Sequence, residues 1–184
     1  MKKRTLAPVL TAALALFGVA GCGPRLSTLN KLAQEGKINE RSPDVAHLEI
    51  EINAPPARVW SLLANPQTWP QWDKQIASVT ALGPFTTAGT NFIWKSGDTE
   101  IHSQVQLVEP QTRLAWTGTA MSAKAVHVWQ LQSIPGDRTR VTMSESMDGP
   151  LISRLFPPDR LKEAGQQWLI ALKKAAEEAP AQSQ

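Results

Sequence analysis

One stretch restricts the possible folds of this chain more than any other: residues 125–149, AVHVWQLQSIPGDRTRVTMSESMDG. Apolar and polar residues alternate on both sides of a Pro-Gly-Asp cluster at 135–137, which predicts two antiparallel strands joined by a tight turn. If the turn is a three-residue loop, Ile134 lies opposite Arg138. The same register then pairs three further positions across the hairpin: Leu131 with Val141, Trp129 with Met143, and His127 with Glu145.

These inner positions share one face of the predicted hairpin, because side chains alternate between the two faces of a strand. That face carries aliphatic and aromatic side chains together with one imidazole, His127, and one carboxylate, Glu145. An apolar wall that contains a few polar groups is typical of a ligand cavity. The hairpin therefore predicts a cavity wall, although it does not identify the molecule that binds there.

The remaining sequence predicts one α+β domain, since 184 residues suffice for a single hydrophobic core. A helix begins at Pro56 and ends before Asn65, and a shorter one carries Trp69 and Trp72. A final helix covers about residues 158–178 and has an apolar stripe at helical spacing. The stripe consists of Leu161, Gly165, Trp168, Leu169, Leu172 and Ala176. The other strands are predicted at residues 47–53, 76–82, 90–95, 100–108 and 113–120.

The first 22 residues resemble the signal peptide of a bacterial lipoprotein. Basic residues at positions 2–4 precede an apolar run over residues 6–20, which is too short for a spanning helix. The segment ends in VAGC at residues 19–22, which resembles the lipobox whose cysteine is lipidated and becomes the mature N-terminus. The alternative is a cleaved signal that has a cysteine near its cut site by chance. Gly23, in place of Asp, favours the outer membrane of a bacterial cell envelope, with the protein facing the periplasm.

The domain boundaries follow from this interpretation. We expect a signal peptide at residues 1–21, a lipidated tether at 22–44, a folded domain at 45–179 and a disordered tail at 180–184. The tether is polar, with one or two helical turns near residues 29–34. Cys22 is the only cysteine and lipidation consumes it, which excludes disulfides and thiolate chemistry. Without the three basic residues of the signal, the 19 Lys and Arg fall to 16, equal to the 16 Asp and Glu, which argues against nucleic-acid binding.

Four segments carry a family resemblance: INAPPARVWSLLANPQTWPQW at 52–72, WTG at 116–118, AVHVW at 125–129 and ESMDG at 145–149. Together they resemble the polyketide cyclase/dehydrase branch of the START and Bet v 1-like superfamily, also called SRPBCC, over roughly residues 45–178. The resemblance implies a helix-grip fold, in which a curved antiparallel sheet wraps around a long C-terminal helix and encloses an apolar cavity. Family members mostly bind lipids, isoprenoids or polyketides, and a minority catalyse cyclisation or dehydration. The resemblance does not assign a catalytic residue by itself.

Two rows of side chains are expected on the inner face, given a four-residue loop at 121–124 and a two-residue turn at 110–111. The polar row is Ser103, Gly118, His127 and Glu145, with a gap at Gly118. The apolar row is Val105, Trp116, Trp129 and Met143. A shelf of two tryptophans beside a polar row would bind a flat or chain-like apolar ligand and orient one polar group of it. Trp94 in strand 90–95 and Trp72 near the cavity mouth complete the expected ligand-binding set.

His127 and Glu145 are the candidates for catalysis, and three roles are open to them. The pair is a buried cross-strand hydrogen bond, a contact to a ligand's polar group, or a base oriented by a carboxylate. No metal-site, nucleotide-loop or serine-hydrolase motif occurs in the sequence, so we expect no metal and no cofactor. We therefore expect a membrane-tethered protein that binds or carries a hydrophobic small molecule, and the sequence leaves any protein partner unknown. A cyclase, dehydratase or hydrolase on a polyketide-like substrate is the alternative, and an envelope assembly factor with a filled pocket is a third.

Residues 148–158, DGPLISRLFPP, are unusually apolar for a connecting segment. They either form a short helix over the cavity entrance or contact a membrane or partner. We favour a lid, because the segment connects the hairpin to the helix that is expected to close the cavity.

Overall fold

The computed structural model describes residues 23–150, 152–155 and 157–178. The expected signal peptide, its Cys22 and the tail at 180–184 lie outside the described residues. Within the three described ranges, no helix is both long and apolar enough to cross a membrane.

The order of elements agrees with the sequence-based expectation. The strands are β1 (Asp44–Ile52), β2 (Ile76–Ala81), β3 (Asn91–Ser96), β4 (Thr99–Glu109), β5 (Arg113–Ala120), β6 (Ala123–Ile134) and β7 (Arg138–Asp148). The helices are α1 (Leu26–Gln34), α2 (Pro56–Leu63), α3 (Trp69–Trp72), α4 (Ile152–Leu155) and α5 (Pro158–Glu177), with a 3₁₀ turn at Pro66–Thr68. Across the described residues, the strands form one seven-stranded antiparallel sheet in the order β1-β7-β6-β5-β4-β3-β2. This sheet packs against α5, which confirms the α+β class and the long C-terminal helix of the helix-grip fold.

Helix α5 packs its apolar stripe on the inner face of the sheet, and every member of the predicted stripe is buried. Pro158 suits the first turn because its missing N–H would have no helical partner there. Gly165 allows a close approach between helix and sheet. A Cβ atom at this position would lie 2.3 Å from Met143 Cε and 2.6 Å from Leu48 Cδ1. The helix therefore lies directly over β1 and β7.

The segment expected to be a free tether is instead packed on the outer face of the sheet. Helix α1 has nine residues, and its Leu29 and Ala33 side chains are fully buried. They contact apolar residues of β5 and β6: Ala115, Val126 and Val128. The one or two helical turns expected near residues 29–34 are part of this helix. It packs on the sheet because the scattered apolar residues of the segment form one helical face, which covers apolar side chains on the outside of the sheet.

The β6–β7 hairpin has the predicted register. Ile134 pairs with Arg138, and the three inner pairs are also confirmed: Leu131 with Val141, Trp129 with Met143, and His127 with Glu145. Gly136 and Asp137 in the loop have φ angles of 85° and 51°, left-handed conformations that these two residue types tolerate well.

The turn between β5 and β6 is shorter than predicted, and the register across it was predicted wrongly. Ala120 pairs with Ala123, so the loop contains two residues where four were expected at 121–124. Lys124 belongs to the strand, because it also pairs with Asp148 of β7. A register error of two residues keeps every side chain on its predicted face.

The observed register changes the rows on the inner face. Trp116 lies opposite His127, and Gly118 lies opposite Ala125. Two pairs between β4 and β5 were predicted correctly: Val105 with Trp116, and Ser103 with Gly118. The turn between these strands has three residues instead of two, since Glu109 pairs with Arg113, but a bulge in β4 restores the predicted register.

Candidate ligand-binding cavity

A cavity of about 370 Å³ lies between the inner face of the sheet and α5. Its wall combines residues of the sheet, the β5–β6 turn, the lid segment and α5. The main apolar contributors are Ile76, Trp94, Ile101, Ala125, Met147, Ile152, Leu161 and Trp168. The volume and the mostly apolar wall are those of a small-molecule site.

Four of the predicted ligand-binding residues line this cavity: Trp94, Gly118, His127 and Glu145. Ser103 lies just behind the wall, 5% exposed, where its hydroxyl accepts a 3.1 Å hydrogen bond from Trp94 Nε1. Trp72 is partly buried against the hydrophobic core and lies outside the cavity wall. Trp94 faces inward, as predicted.

The expected apolar row belongs to the packed core instead of the cavity wall. Its four members are all fully buried: Val105, Trp116, Trp129 and Met143. Trp168 of α5 has its ring centroid 6.1 Å from that of Trp116 and 5.3 Å from that of Trp129. Trp69 adds a further ring 5.6 Å from Trp116. The two tryptophans are therefore covered by other rings and do not form an open shelf.

His127 and Glu145 form a buried pair at the cavity wall. Nε2 of His127 lies 3.1 Å from Oε1 of Glu145, and the two side chains are 6% and 8% exposed. Burial lowers the pKa of His127 to about 3, because the charged imidazolium loses its hydration. Burial raises the pKa of Glu145 to about 8 for the same reason. Both shifts favour the uncharged forms at neutral pH, in which the Glu145 carboxyl donates a hydrogen bond to Nε2 of His127.

This protonation state leaves the imidazole proton on Nδ1 of His127. Among the described residues, that buried Nδ1 atom has no hydrogen-bond partner. The Trp116 ring stacks on the imidazole with a centroid distance of 5.0 Å and an interplanar angle of 19°. The imidazole is thus held in a fixed orientation with one hydrogen-bonding atom unused.

Asp73 is a cavity residue that sequence reasoning missed. It follows α3, is 2% exposed, and lines the cavity. Its Oδ1 accepts a 2.9 Å hydrogen bond from the backbone N–H of Gln75, whereas its Oδ2 has no partner in the described part of the chain. Burial raises the pKa of Asp73 above its ordinary value. The available signal was its position directly after WPQW, a segment already expected near the cavity mouth.

The lid segment, which precedes α5, also contributes to the cavity wall. Pro150 and Ile152 line the cavity, and Ile152 is 8% exposed. Residues 152–155 form the short helix α4, which agrees with the expectation of a helix over the cavity entrance.

The described wall has acidic groups but no strongly basic one. Asp73 and Glu145 are acidic, and among the described residues no Lys or Arg lines the cavity. In the same ranges, no group of three or more His, Cys, Asp or Glu side chains is placed to hold a metal ion.

Several proteins of known sequence or structure are similar to this chain. The uncharacterized proteins Rv2574 of Mycobacterium tuberculosis and Mb2604 of Mycobacterium bovis are each 29% identical over 126 residues, which is 65% of this chain and 75% of the relative. The crystal structure of the hypothetical protein jhp0584 from Helicobacter pylori superposes with a TM-score of 0.68 at 19% identity, covering 76% of this chain and 91% of that one. The crystal structure of TTHA0849 from Thermus thermophilus gives a TM-score of 0.62 at 17% identity, with coverages of 72% and 96%.

The sequence also matches a family model over residues 45–177, which includes all of β2 to β7 and α5, and all of β1 except Asp44. The family is described as polyketide cyclase/dehydrase and lipid transport. The chain therefore belongs to the polyketide cyclase/dehydrase and lipid transport family.

Proposed function

We propose that this protein is a lipid-anchored binding protein that holds or carries a hydrophobic small molecule in the cavity between its sheet and α5. One observation carries the proposal: a cavity of about 370 Å³ with a mostly apolar wall and one buried polar pair, His127 and Glu145. Family membership supports a lipid, isoprenoid or polyketide-like ligand. The apolar wall supplies affinity, and the polar pair orients one polar group of the ligand.

The lack of a Lys or Arg on the described wall favours a ligand whose polar group carries no negative charge. A carboxylate or phosphate in this cavity would lose its hydration close to Asp73 and Glu145, with no Lys or Arg of the described wall to neutralise it. A hydroxyl or ketone would instead bind at the His127–Glu145 pair through hydrogen bonds. Alcohols and ketones of the isoprenoid or polyketide type therefore suit the cavity better than free fatty acids.

The membrane anchor is proposed from the sequence alone. The VAGC segment at 19–22 would direct lipidation of Cys22, and Gly23 favours the outer membrane facing the periplasm. Stable attachment requires more than one acyl chain, because a single chain binds a bilayer only marginally.

A second candidate function is an enzyme, either a cyclase, a dehydratase or a hydrolase that acts on a polyketide-like substrate. The observation that favours it is the pair at 3.1 Å on a cavity wall, which places an imidazole and a carboxyl where a substrate would bind. Two variants distinguish the functions, His127→Ala and Glu145→Gln. A binding protein would lose affinity modestly, whereas an enzyme would lose turnover by orders of magnitude and keep most of its substrate binding.

Native mass spectrometry with lipid extraction tests the binding function on protein purified from the envelope of its own host. We expect a reproducible hydrophobic adduct on the wild-type protein. Ala125→Trp should lose the adduct, because the indole would occupy the cavity that Ala125 lines. Ala77→Trp is the matched control, since Ala77 is exposed on β2 and lies outside the cavity wall. An empty wild-type protein, or equal adducts on both variants, would contradict the proposal.

A further inference from the structure

The N-terminal end of the described chain is held in place beside the β5–β6 turn. Nζ of Lys124 donates a 2.9 Å hydrogen bond to the carbonyl oxygen of Pro24. Helix α1 begins two residues later, and the fully buried Leu29 and Ala33 attach it to the sheet. Thr117 Oγ1 adds a 2.9 Å hydrogen bond to Asn30 Oδ1. The chain therefore leaves the domain at a defined point instead of through a flexible tether.

That exit point adjoins the rim of the cavity. Four exposed residues also line the cavity, and we call them the cavity rim: Thr99, Met121, Ser122 and Pro150. Met121 is 91% exposed although it lines the cavity, which places it at the opening. Lys124 lies two residues after Ser122, so Pro24 is held at the same end of β6 as the rim, although on the outer face of the sheet.

The lid segment meets the same rim. A Cβ atom on Gly149 would lie 3.0 Å from the carbonyl oxygen of Ser122, so the chain enters the lid in contact with the β5–β6 turn. The four rim residues are all uncharged, and Met121 and Pro150 are apolar. Such a rim can approach a lipid surface without removing a charge from water.

Cys22 precedes Pro24 by two residues, and two residues extend at most about 7 Å. A lipid on Cys22 would therefore enter the bilayer close to the cavity rim. We propose that the lipidated protein lies with its cavity rim against the membrane surface, so that a hydrophobic ligand passes between the bilayer and the cavity without crossing bulk water. This inference rests on the lipidation of Cys22 given under the proposed function. The occupant of the rim is the lipid surface itself.

Depth-dependent fluorescence quenching tests this orientation on the full lipidated protein. Lipidation consumes the thiol of Cys22, so a cysteine introduced elsewhere is the only reactive thiol. Met121→Cys places a bimane label at the rim. Asp137→Cys is the matched control, because Asp137 is exposed in the turn at the other end of β6, a strand of 12 residues and about 40 Å. Both proteins are inserted into vesicles of phosphatidylethanolamine and phosphatidylglycerol that contain a doxyl-labelled lipid.

We expect the label at position 121 to be quenched several-fold more strongly than the label at position 137. Insertion of a ten-residue Gly/Ser linker between Gly23 and Pro24 should reduce quenching at position 121, because the domain could then leave the surface. Equal quenching at the two positions in a protein that carries the acyl chains would overturn the orientation and leave the anchor intact. Mass spectrometry of the N-terminal peptide is the separate readout of lipidation, and an unmodified Cys22 would overturn both the anchor and the orientation.

Discussion

At position 127 the imidazole has an aromatic ring on one face and a carboxyl at its edge. Trp116 stacks on it at 5.0 Å, and Glu145 lies 3.1 Å from Nε2. Burial opposes charge on both members of the pair, which lowers the pKa of His127 to about 3 and raises the pKa of Glu145 to about 8. The pair therefore functions at neutral pH as an uncharged donor and acceptor, which suits recognition of a neutral polar group.

The two pKa shifts act on stability in opposite directions. Unfolded chains bind a proton on His127 below its ordinary pKa of 6.5, while the folded protein does so only below about 3, so stability rises with pH between these values. The folded protein keeps a proton on Glu145 up to a pKa of about 8, whereas the unfolded chain releases it near 4.5, so stability falls with pH in that window. The two slopes cancel between about 4.5 and 6.5. Between pH 6.5 and 8 only the Glu145 contribution remains, so stability falls as the pH rises.

Glu145→Gln should remove the decrease in stability between pH 6.5 and 8. We expect the free energy of unfolding of the wild-type protein to decrease by about 1.4 kcal/mol per pH unit between pH 6.5 and 8, and the variant to show a much flatter profile. Urea unfolding at a series of pH values measures both. Asp73, whose pKa is also raised by burial, is present in both proteins, so the difference between their profiles isolates Glu145. A wild-type profile that is flat or rises with pH in this range would contradict the uncharged pair.

The hydrogen bond from Trp94 Nε1 to Ser103 Oγ is buried next to the cavity. Ser103→Ala should destabilise the protein by about 1–3 kcal/mol, because the indole N–H would remain buried without an acceptor. In the background of Trp94→Phe, which has no N–H to leave unpaired, the same change should cost clearly less. Urea unfolding of the four proteins of this double-mutant cycle measures the difference. Additive effects would show that the bond does not contribute to stability.

At the level of secondary structure, local chemistry explains which predictions succeeded. The β6–β7 register was predictable because Pro135, Gly136 and Asp137 specify a tight turn within the hairpin itself. The turn at Met121 and Ser122 has no comparable signal, so its length could not be read from the sequence. Its true length is consistent with the pairing of Lys124 to Asp148 on the far side of β6, which is a non-local contact.

The length of helix α1 and its packing on the sheet were not predicted, for a related reason. Its apolar residues look scattered in a polar segment, and their burial depends on Val126 and Val128, about a hundred residues away on the outer face of β6. Those two valines were a usable signal. They alternate with the inner-face residue His127, and apolar residues on both faces of a strand indicate that both faces are covered.

Leu29→Ala should therefore destabilise the protein by about 2–5 kcal/mol, because Leu29 is fully buried between α1 and the sheet. Leu26→Ala is the matched control in the same helix. Leu26 is 38% exposed, and we expect its loss to cost less than about 0.5 kcal/mol. Thermal or urea unfolding measures both variants. Equal and negligible effects would mean that the segment is a tether after all.

For the whole molecule, the sequence predicted the cavity better than its lining. Trp94, Gly118, His127 and Glu145 were assigned correctly to the inner face, because strand alternation is a local property. Asp73 and Trp168 reach the same cavity from α3 and α5, and no local pattern relates those helices to the strands. Packing against Trp69 and Trp168 likewise decides that Trp116 and Trp129 are core residues.

The composition of the wall is the basis of the proposed selectivity for uncharged polar groups. The described wall of the cavity carries Asp73 and Glu145 without a Lys or Arg. Ligands that are identical except for their polar group should therefore bind with different affinities. This comparison separates the effect of the polar group from that of the apolar wall.

Titration calorimetry at neutral pH tests whether the cavity selects hydrophobic ligands with an uncharged polar group. The domain from Gly23 onward is titrated with decanol and with decanoic acid. We expect decanol to bind about ten-fold or more tightly than decanoic acid, a difference of about 1.4 kcal/mol, because the carboxylate would lose its hydration in a cavity whose described wall has no Lys or Arg to pair with it. Ala125→Trp should abolish binding of decanol, and Ala77→Trp should leave it unchanged. Equal or tighter binding of decanoic acid, or decanol binding that survives in Ala125→Trp, would contradict a cavity that selects hydrophobic ligands with an uncharged polar group.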